Sequence, residues 1–289
     1  MSVRKAVILA AGLGTRLLPA TKAQPKELLP LFDTPIIQYT VEEAVASGLE
    51  QIIIVTGAGK RAVKEHFDRS PQLEQALQEK GDTARLDEVR RIAELADIVY
   101  VEQREQRGIG DAVLTAREAV GDEPFALLFP DDVIVSEAPG ARQLVDVFEA
   151  HGGSVVAVEE VPPEQIESYG IVDGEPVAEA VYRVRALVEK PKLDEAPSNL
   201  GIVGRYVFTP EIFDVLTKTP PGKGGEIQIT DAMALLMRDQ PMFACRMTGQ
   251  RYDTGRPLGL LMASLGVALA RPEIGPELRR HLRALELAG

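Results

Sequence analysis

The sequence predicts an α/β protein with a mixed, mostly parallel central sheet flanked by helices. Two observations lead there. Four short apolar runs, residues 6–9 (AVIL), 51–55 (QIIIV), 98–103 (IVYVEQ) and 125–129 (FALLF), have the length of buried strands. Stretches of helical spacing separate them, and strand–helix alternation builds a parallel sheet covered on both faces. In such sheets ligands bind beyond the carboxyl ends of the strands. The turns carrying residues 12–16, 103–110 and Asp131 each follow a strand directly, so they should meet in one crevice.

Taken in order, the first strand ends in Ala10 and Ala11 and runs into a glycine loop. Residues 35–47 have helical spacing with Pro35 near the first position, and Gly48 stops them. The strand at 51–55 is followed by a charged, helical region over about 60–96. That is too long for a simple crossover and reads as an insertion, broken near Ser70–Pro71 and Gly81–Asp82. After the third strand, Gly108, Ile109 and Gly110 precede a helix over 111–120. The fourth strand ends at Pro130, Asp131 and Asp132.

The second half is less regular. Helices are expected at 141–150, 210–218 and 229–239, and strands at 154–161, 169–172, 181–188, 201–209 and 242–246. Strands without helices between them imply a mixed sheet. A Gly/Pro-rich loop spans 219–229. Helices at 257–270 and 276–287 close the chain. No linker or internal repeat stands out, so residues 1–289 read as a single domain with C-terminal helices from about 257.

Composition narrows the function. Of 289 residues, 45% are hydrophobic, which suffices for one large core. The net charge of −12 argues against a nucleic-acid surface, and an aromatic content of 5% without tryptophan argues against base-stacking platforms. No apolar run is long enough to span a membrane, and MSVRKAVILAAG does not read as a signal peptide. The lone Cys245 cannot form an internal disulfide, which suits a cytoplasmic protein and a packed side chain. His66, His151 and His281 are scattered and suggest no metal cluster.

The stretch with the clearest chemistry is AAGLGTRLLPATKAQPKELLPL, residues 10–31. Glycines let backbone approach a ligand closely, and successive N–H groups in such a turn form an anion cradle. Arg16 adds a planar cationic fork suited to phosphate, and Lys22 and Lys26 add mobile charge. Neither common phosphate loop fits. Leu17 replaces the third glycine of the dinucleotide fingerprint, and the Gly-Lys-Ser/Thr ending of a P-loop is absent. Further along, Asp131 ends a strand inside the expected crevice. Asp253 sits in a turn, where it could equally cap the following helix. Gln103 offers one donor and one acceptor to the imide edge of a uracil.

The pattern G-x-G-T-R-x-x-P…P-K-E-x-L-P resembles the sugar-nucleotide pyrophosphorylases, the family of nucleoside-triphosphate:sugar-1-phosphate nucleotidyltransferases, and is most similar to their bacterial uridylyl branch. VEKP at 188–191, YGIV at 169–172, NLGIV at 199–203 and GGEIQIT at 224–230 extend the resemblance in order from about residue 6 to 265. It implies a Rossmann-like nucleotidyltransferase fold. It also implies uridylyl transfer from UTP to glucose 1-phosphate, giving UDP-glucose and pyrophosphate, with Mg2+ and in homodimers or homotetramers.

By the same resemblance Arg16, Lys26 and Lys190 are catalytic. Ala10, Ala11, Gly12, Leu13, Gly14, Thr15, Glu27, Gln103 and Gly108 bind the nucleotide. Gly170, Glu189, Val203 and Glu226 bind the sugar, and Asp131 and Asp253 hold the metal. Asp132 is a weaker candidate, pointing elsewhere. Thr254 stands where a cysteine is more usual, a feature shared with the thymidylyl branch. That branch and a silent nucleotide-sugar-binding regulator are the alternatives. Without the resemblance, Glu189 and Lys190 would pass for an ordinary surface pair.

Overall fold

The computed structural model describes residues 2–222 and 225–286. Lys223 and Gly224, in the predicted loop, and Leu287, at the end of the predicted last helix, lie outside them.

Strand β1 (Lys5–Ala10) is buried along most of its length. A small hairpin of β2 (Pro30–Leu31) and β3 (Thr34–Pro35) then leads into α1 (Ile36–Ala46). Strand β4 (Gln51–Gly57) follows. The predicted insertion consists of α2 (Arg61–Phe67), α3 (Pro71–Glu79) and α4 (Thr83–Ala93). Next come β5 (Asp97–Gln103), α5 (Ile109–Thr115), α6 (Arg117–Val120) and β6 (Phe125–Leu128). The single helix expected over 111–120 is thus two, separated at Ala116.

The second half contains β7 (Asp132–Val135), α7 (Gly140–His151), β8 (Ser154–Glu160), β9 (Gly170–Ala178), β10 (Val181–Glu189) and β11 (Leu200–Phe208). Helices α8 (Glu211–Lys218) and α9 (Ile229–Leu236) precede β12 (Met242–Arg246) and β13 (Gln250–Asp253). Helices α10 (Pro257–Ala270) and α11 (Gly275–Glu286) complete the described chain.

One nine-stranded sheet joins both halves, in the order β5-β4-β1-β6-β11-β8-β12-β10-β9. Strands β5, β4, β1 and β6 are mutually parallel, with Lys5 level with both Gln51 and Phe125. Strand β11 enters antiparallel between β6 and β8, and β12 runs parallel to β8. The β9–β10 hairpin closes the far edge.

Side chains alternate across the sheet, as the two-residue period of a strand requires. Ile8, Ile52 and Ile54 face the layer containing α1 and α7, whereas Val7, Ile53 and Val55 face that of α5, α8 and α9. Both faces are therefore covered, which explains why these strands read as unbroken apolar runs. No helix among the described residues is long and apolar enough to cross a membrane.

Two short strands leave the main sheet. Strand β7 pairs antiparallel with β13, placing Asp253 opposite Asp132. This ribbon joins parts of the chain that are far apart in sequence, and it places the turn after β13 beside the turn after β6.

Candidate active site

The carboxyl ends of β1, β5 and β6 open into a cleft of about 560 Å³. Gly12 and Arg16 line it from the turn after β1, Gln103 and Gly108 from the turn after β5, and Asp131 from the turn after β6. Asp253 reaches it from the end of β13. The crevice expected from the strand order is present.

The glycine loop is held by local bonds. The carbonyl of Gly14 accepts from the Leu17 amide at 3.0 Å and from Thr21 Oγ1 at 2.8 Å. Gly14 has φ +66°, and a Cβ there would lie 3.1 Å from Lys26 Cβ. A side chain at this position would be strained and would crowd Lys26. Around Gly12 the Cβ position is open, so a ligand can approach that backbone. Ala10 is buried at the end of β1, Ala11 lines the cleft, Leu13 points outward, and Thr15 begins a single 3-10 turn. Arg16 faces the cleft with no ion pair among the described residues.

Lys26 Nζ lies 2.5 Å from Asp131 Oδ2. Burial opposes the charge on both groups, yet each sustains the other. The Asp131 carboxylate holds the Lys26 ammonium above its ordinary pKa, and Lys26 holds Asp131 below its own. Asp131 Oδ2 and Asp253 Oδ1 both lie beside Gly255, whose amide donates to Asp253 Oδ1 at 3.0 Å. A Cβ on Gly255 would sit 2.9 Å from Asp131 Oδ2 and 3.1 Å from Asp253 Oδ1. Glycine at 255 therefore leaves a space bordered by two carboxylates. No group of three or more His, Cys, Asp or Glu side chains among the described residues is arranged to hold a metal. A pair of carboxylates is the donor set of a hard divalent cation that also keeps waters and phosphate oxygens. Thr254 is fully buried, and both its amide (2.7 Å) and its hydroxyl (2.9 Å) donate to the Asp131 carbonyl. The departure noted at this position thus has a structural use.

Glu27 stands behind the cleft. It is buried, and its Oε2 accepts from Lys60 at 2.8 Å while Oε1 has no partner among the described residues. Burial pushes the Glu27 carboxyl up and the Lys60 ammonium down, against their mutual attraction.

On the opposite wall, Gln103 Nε2 donates to Asp111 Oδ2 at 2.8 Å, with the Gly108 carbonyl at 3.4 Å. Gly108 has φ +102°, and a Cβ there would meet Glu226 Cβ at 2.7 Å. The loop carrying Glu226 packs directly on it, joined by bonds from Gly110 N to Ile227 O and from Ile227 N to Arg107 O. Glu226 also lines the cleft.

Two of the predicted sugar-binding residues, Gly170 and Glu189, meet where β9 pairs with β10. Glu189 is level with Gly170, and a Cβ on Gly170 would lie 3.2 Å from Glu189 Oε2. That oxygen accepts from Thr230 Oγ1 at 2.8 Å, and Lys190 Nζ lies 3.1 Å from Glu189 Oε1. Lys190 has φ +46°, a left-handed conformation costly for a residue with a Cβ and held here by its amide bond to the Tyr169 carbonyl at 3.0 Å. Val203 differs from the rest: its side chain is buried in the core.

Sequence reading missed the frame beneath Asp131. Arg251 pairs with Asp132 and Glu159 and donates to the Tyr169 hydroxyl at 2.9 Å. Asp132 also accepts from the Gly204 amide at 2.8 Å, and like Asp131 it lines the cleft. Arg205 is buried against Glu43 and bonds the carbonyls of Phe129 and Asp132. An arginine within the otherwise apolar run of β11 was the available signal, since a buried charge requires partners.

The family model described as nucleotidyl transferase matches residues 5–268. The chain belongs to the nucleotidyl transferase family. It is similar to the UTP–glucose-1-phosphate uridylyltransferase YngB of Bacillus subtilis (strain 168), with 52% identity over 280 residues, covering 97% of this chain and 94% of the relative. Among solved structures, a UDP-glucose pyrophosphorylase complexed with UDP-glucose superposes with a TM-score of 0.85 at 41% identity, covering 93% of this nucleotidyl transferase and 100% of that chain. A UTP-bound UGPase from Acinetobacter baumannii superposes with a TM-score of 0.91 at 38% identity, covering 97% and 98%. Nucleotidyl transferases of this family generally use a divalent metal.

Proposed function

We propose that this chain transfers the uridylyl group of UTP to glucose 1-phosphate, releasing pyrophosphate and UDP-glucose. The observation that carries the reading is the convergence of Asp131 and Asp253 beside Lys26 and Arg16 in one cleft, in a chain about half identical to a named UTP–glucose-1-phosphate uridylyltransferase.

In this reading a phosphate oxygen of glucose 1-phosphate forms a bond to the α-phosphorus of UTP. The bond from that phosphorus to the bridging oxygen breaks in line, and pyrophosphate leaves. The nucleophile is already anionic at neutral pH, so positioning and charge neutralisation matter more than a general base. The Gly12, Leu13, Gly14 and Thr15 amides and the Arg16 fork bind the leaving pyrophosphate. Lys26 and Lys190 offset charge at the reacting phosphates. Asp131 and Asp253 hold Mg2+, which when bound polarises the phosphate oxygens and templates their alignment. Gln103 and Gly108 read the base, with Ala10 and Ala11 along its edge and Glu27, paired with Lys60, on the nucleotide side of the phosphate loop. Glu189 and Glu226 bond sugar hydroxyls, while Gly170 and the Val203 backbone bound the sugar.

Residues 1–289 act in this reading as one nucleotidyltransferase domain, placed in the cytoplasm, with α2 to α4 as an insertion. The chain works as a homodimer or homotetramer. Supporting this, α10 leaves Leu258, Leu261 and Met262 more than half exposed, at 70%, 56% and 53%. Light scattering on the purified chain should give at least twice the monomer mass of 31.4 kDa. A monomer at micromolar concentration would remove this part of the reading.

The deciding experiment is pyrophosphate release with magnesium and glucose 1-phosphate, across UTP, dTTP, ATP, CTP and GTP. Release with UTP well above the rest is the expected result. A preference for dTTP would keep the mechanism and change the base. Binding of UDP-glucose without release from any pair would overturn the catalytic reading.

A further inference from the structure

The interaction of Gln103 with Asp111 is the strongest feature near the cleft that the proposed chemistry does not use. A carboxamide has two faces of similar shape and opposite hydrogen-bonding character. Which face a glutamine presents to a ligand depends on what holds the other. Both partners of Gln103 Nε2 are acceptors, the Asp111 carboxylate at 2.8 Å and the Gly108 carbonyl at 3.4 Å. An ionised carboxylate cannot donate, so turning the amide over would set Oε1 against two acceptors. Gln103 is buried apart from its edge on the cleft, and no donor among the described residues engages Oε1.

We propose that Asp111 determines base specificity by locking the Gln103 amide with its carbonyl towards the base, so that the site accepts an imide N–H and rejects a pyrimidine lacking one. The proposal rests on Gln103 reading the base. Uracil carries a hydrogen on N3 between two carbonyls, and Oε1 accepts it. Cytosine presents a bare N3 lone pair at the same place, which meets Oε1 as acceptor against acceptor. A freely turning glutamine would offer Nε2 to cytosine N3 and discriminate poorly. Thymine shares the imide, so this device separates UTP from CTP and leaves UTP and dTTP alike. Asp111 is a positioning residue acting through Gln103. A merely structural role, as an acidic residue in the first turn of α5, would leave base choice untouched.

The test compares kcat/KM for UTP and CTP in the wild type, Asp111→Asn, Asp111→Ser and Gln103→Leu. Asparagine and serine can both donate, so each releases the lock. In both Asp111 variants the UTP-to-CTP ratio should fall by about tenfold or more, the size of one mismatched polar contact in a buried site. The loss for UTP should fall mainly on KM, with calorimetric affinities for the two nucleotides shifting in parallel. The serine variant decides the question should the asparagine variant not fold. An unchanged ratio in a folded Asp111 variant, together with a reduced ratio in Gln103→Leu, would overturn the lock and leave Gln103 as base reader. An unchanged ratio in Gln103→Leu would instead remove the base-reading role on which the proposal depends.

Discussion

Asp131→Asn should lower kcat by about 10³-fold or more while the protein stays folded, because it weakens the site where charge on the reacting phosphates is met. The substitution is nearly isosteric. Its side-chain oxygen can still accept from Lys26, and the backbone carbonyl bonded twice by Thr254 is untouched. The fold should persist, but the largely buried Lys26 ammonium loses the carboxylate that offsets its desolvation, so the thermal midpoint should fall by several degrees. What is lost is one of the two carboxylates that face each other across Gly255. Binding of Mn2+ in the presence of UTP, followed by its electron paramagnetic resonance signal, should weaken in parallel with kcat. Turnover within tenfold of the wild type, from folded protein, would show that Asp131 is not at the reacting centre.

How Asp253 comes to stand near Asp131 marks the limit of what the sequence disclosed. The first half was legible because β1, β4 and β6 are buried on both faces and read as apolar runs with a turn behind them. Glycines and lysines of the phosphate loop lie within one short segment, so their grouping needed no tertiary knowledge. Strands β7 and β13 are different. Each has four residues, lies outside the main sheet and gains its conformation from the other. Nothing local in DVIV or QRYD announces that pairing, since strand preference is largely a matter of cross-strand context. The sequence could thus offer Asp253 as a metal ligand or as a helix cap, and only the ribbon sets it opposite Asp132. Asp111 was hidden for another reason. In GIGDAV it looks like any acid near a helix start, and its contact with Gln103 depends on how the turn after β5 folds back. Val203 lies in a recognisable motif, and its side chain is buried in the core, which a motif alone does not disclose.

Arg205→Ala should be the most destabilising single change near the site, costing about 3–5 kcal/mol, because it breaks a buried ion pair and strands the remaining partner. Arg205 is 1% exposed, and its guanidinium makes five bonds. Two go to the Glu43 carboxylate, and three to the carbonyls of Phe129, Gly204 and Asp132. Glu43 in turn accepts from the Ala141 amide at 2.8 Å, so α1, α7, β11 and the turn after β6 share one buried fork. Alanine would leave an uncompensated carboxylate and take one donor from each of three carbonyls, of which those of Gly204 and Phe129 keep a backbone amide. At roughly 2–4 °C per kcal/mol for a chain somewhat smaller than this one, the thermal midpoint should fall by about 10 °C. The double variant Arg205→Met with Glu43→Leu separates two roles of the fork. Removing both charges should recover part of the stability, since apolar replacement of a buried pair is often neutral. It should not recover activity, because the Phe129 and Asp132 carbonyls that flank Asp131 would still lack the guanidinium that aligns them. Full activity in the double variant would mean that the Asp131 turn holds its shape unaided. A loss below 1 kcal/mol in the single variant would mean that water or a neighbouring side chain replaces the fork.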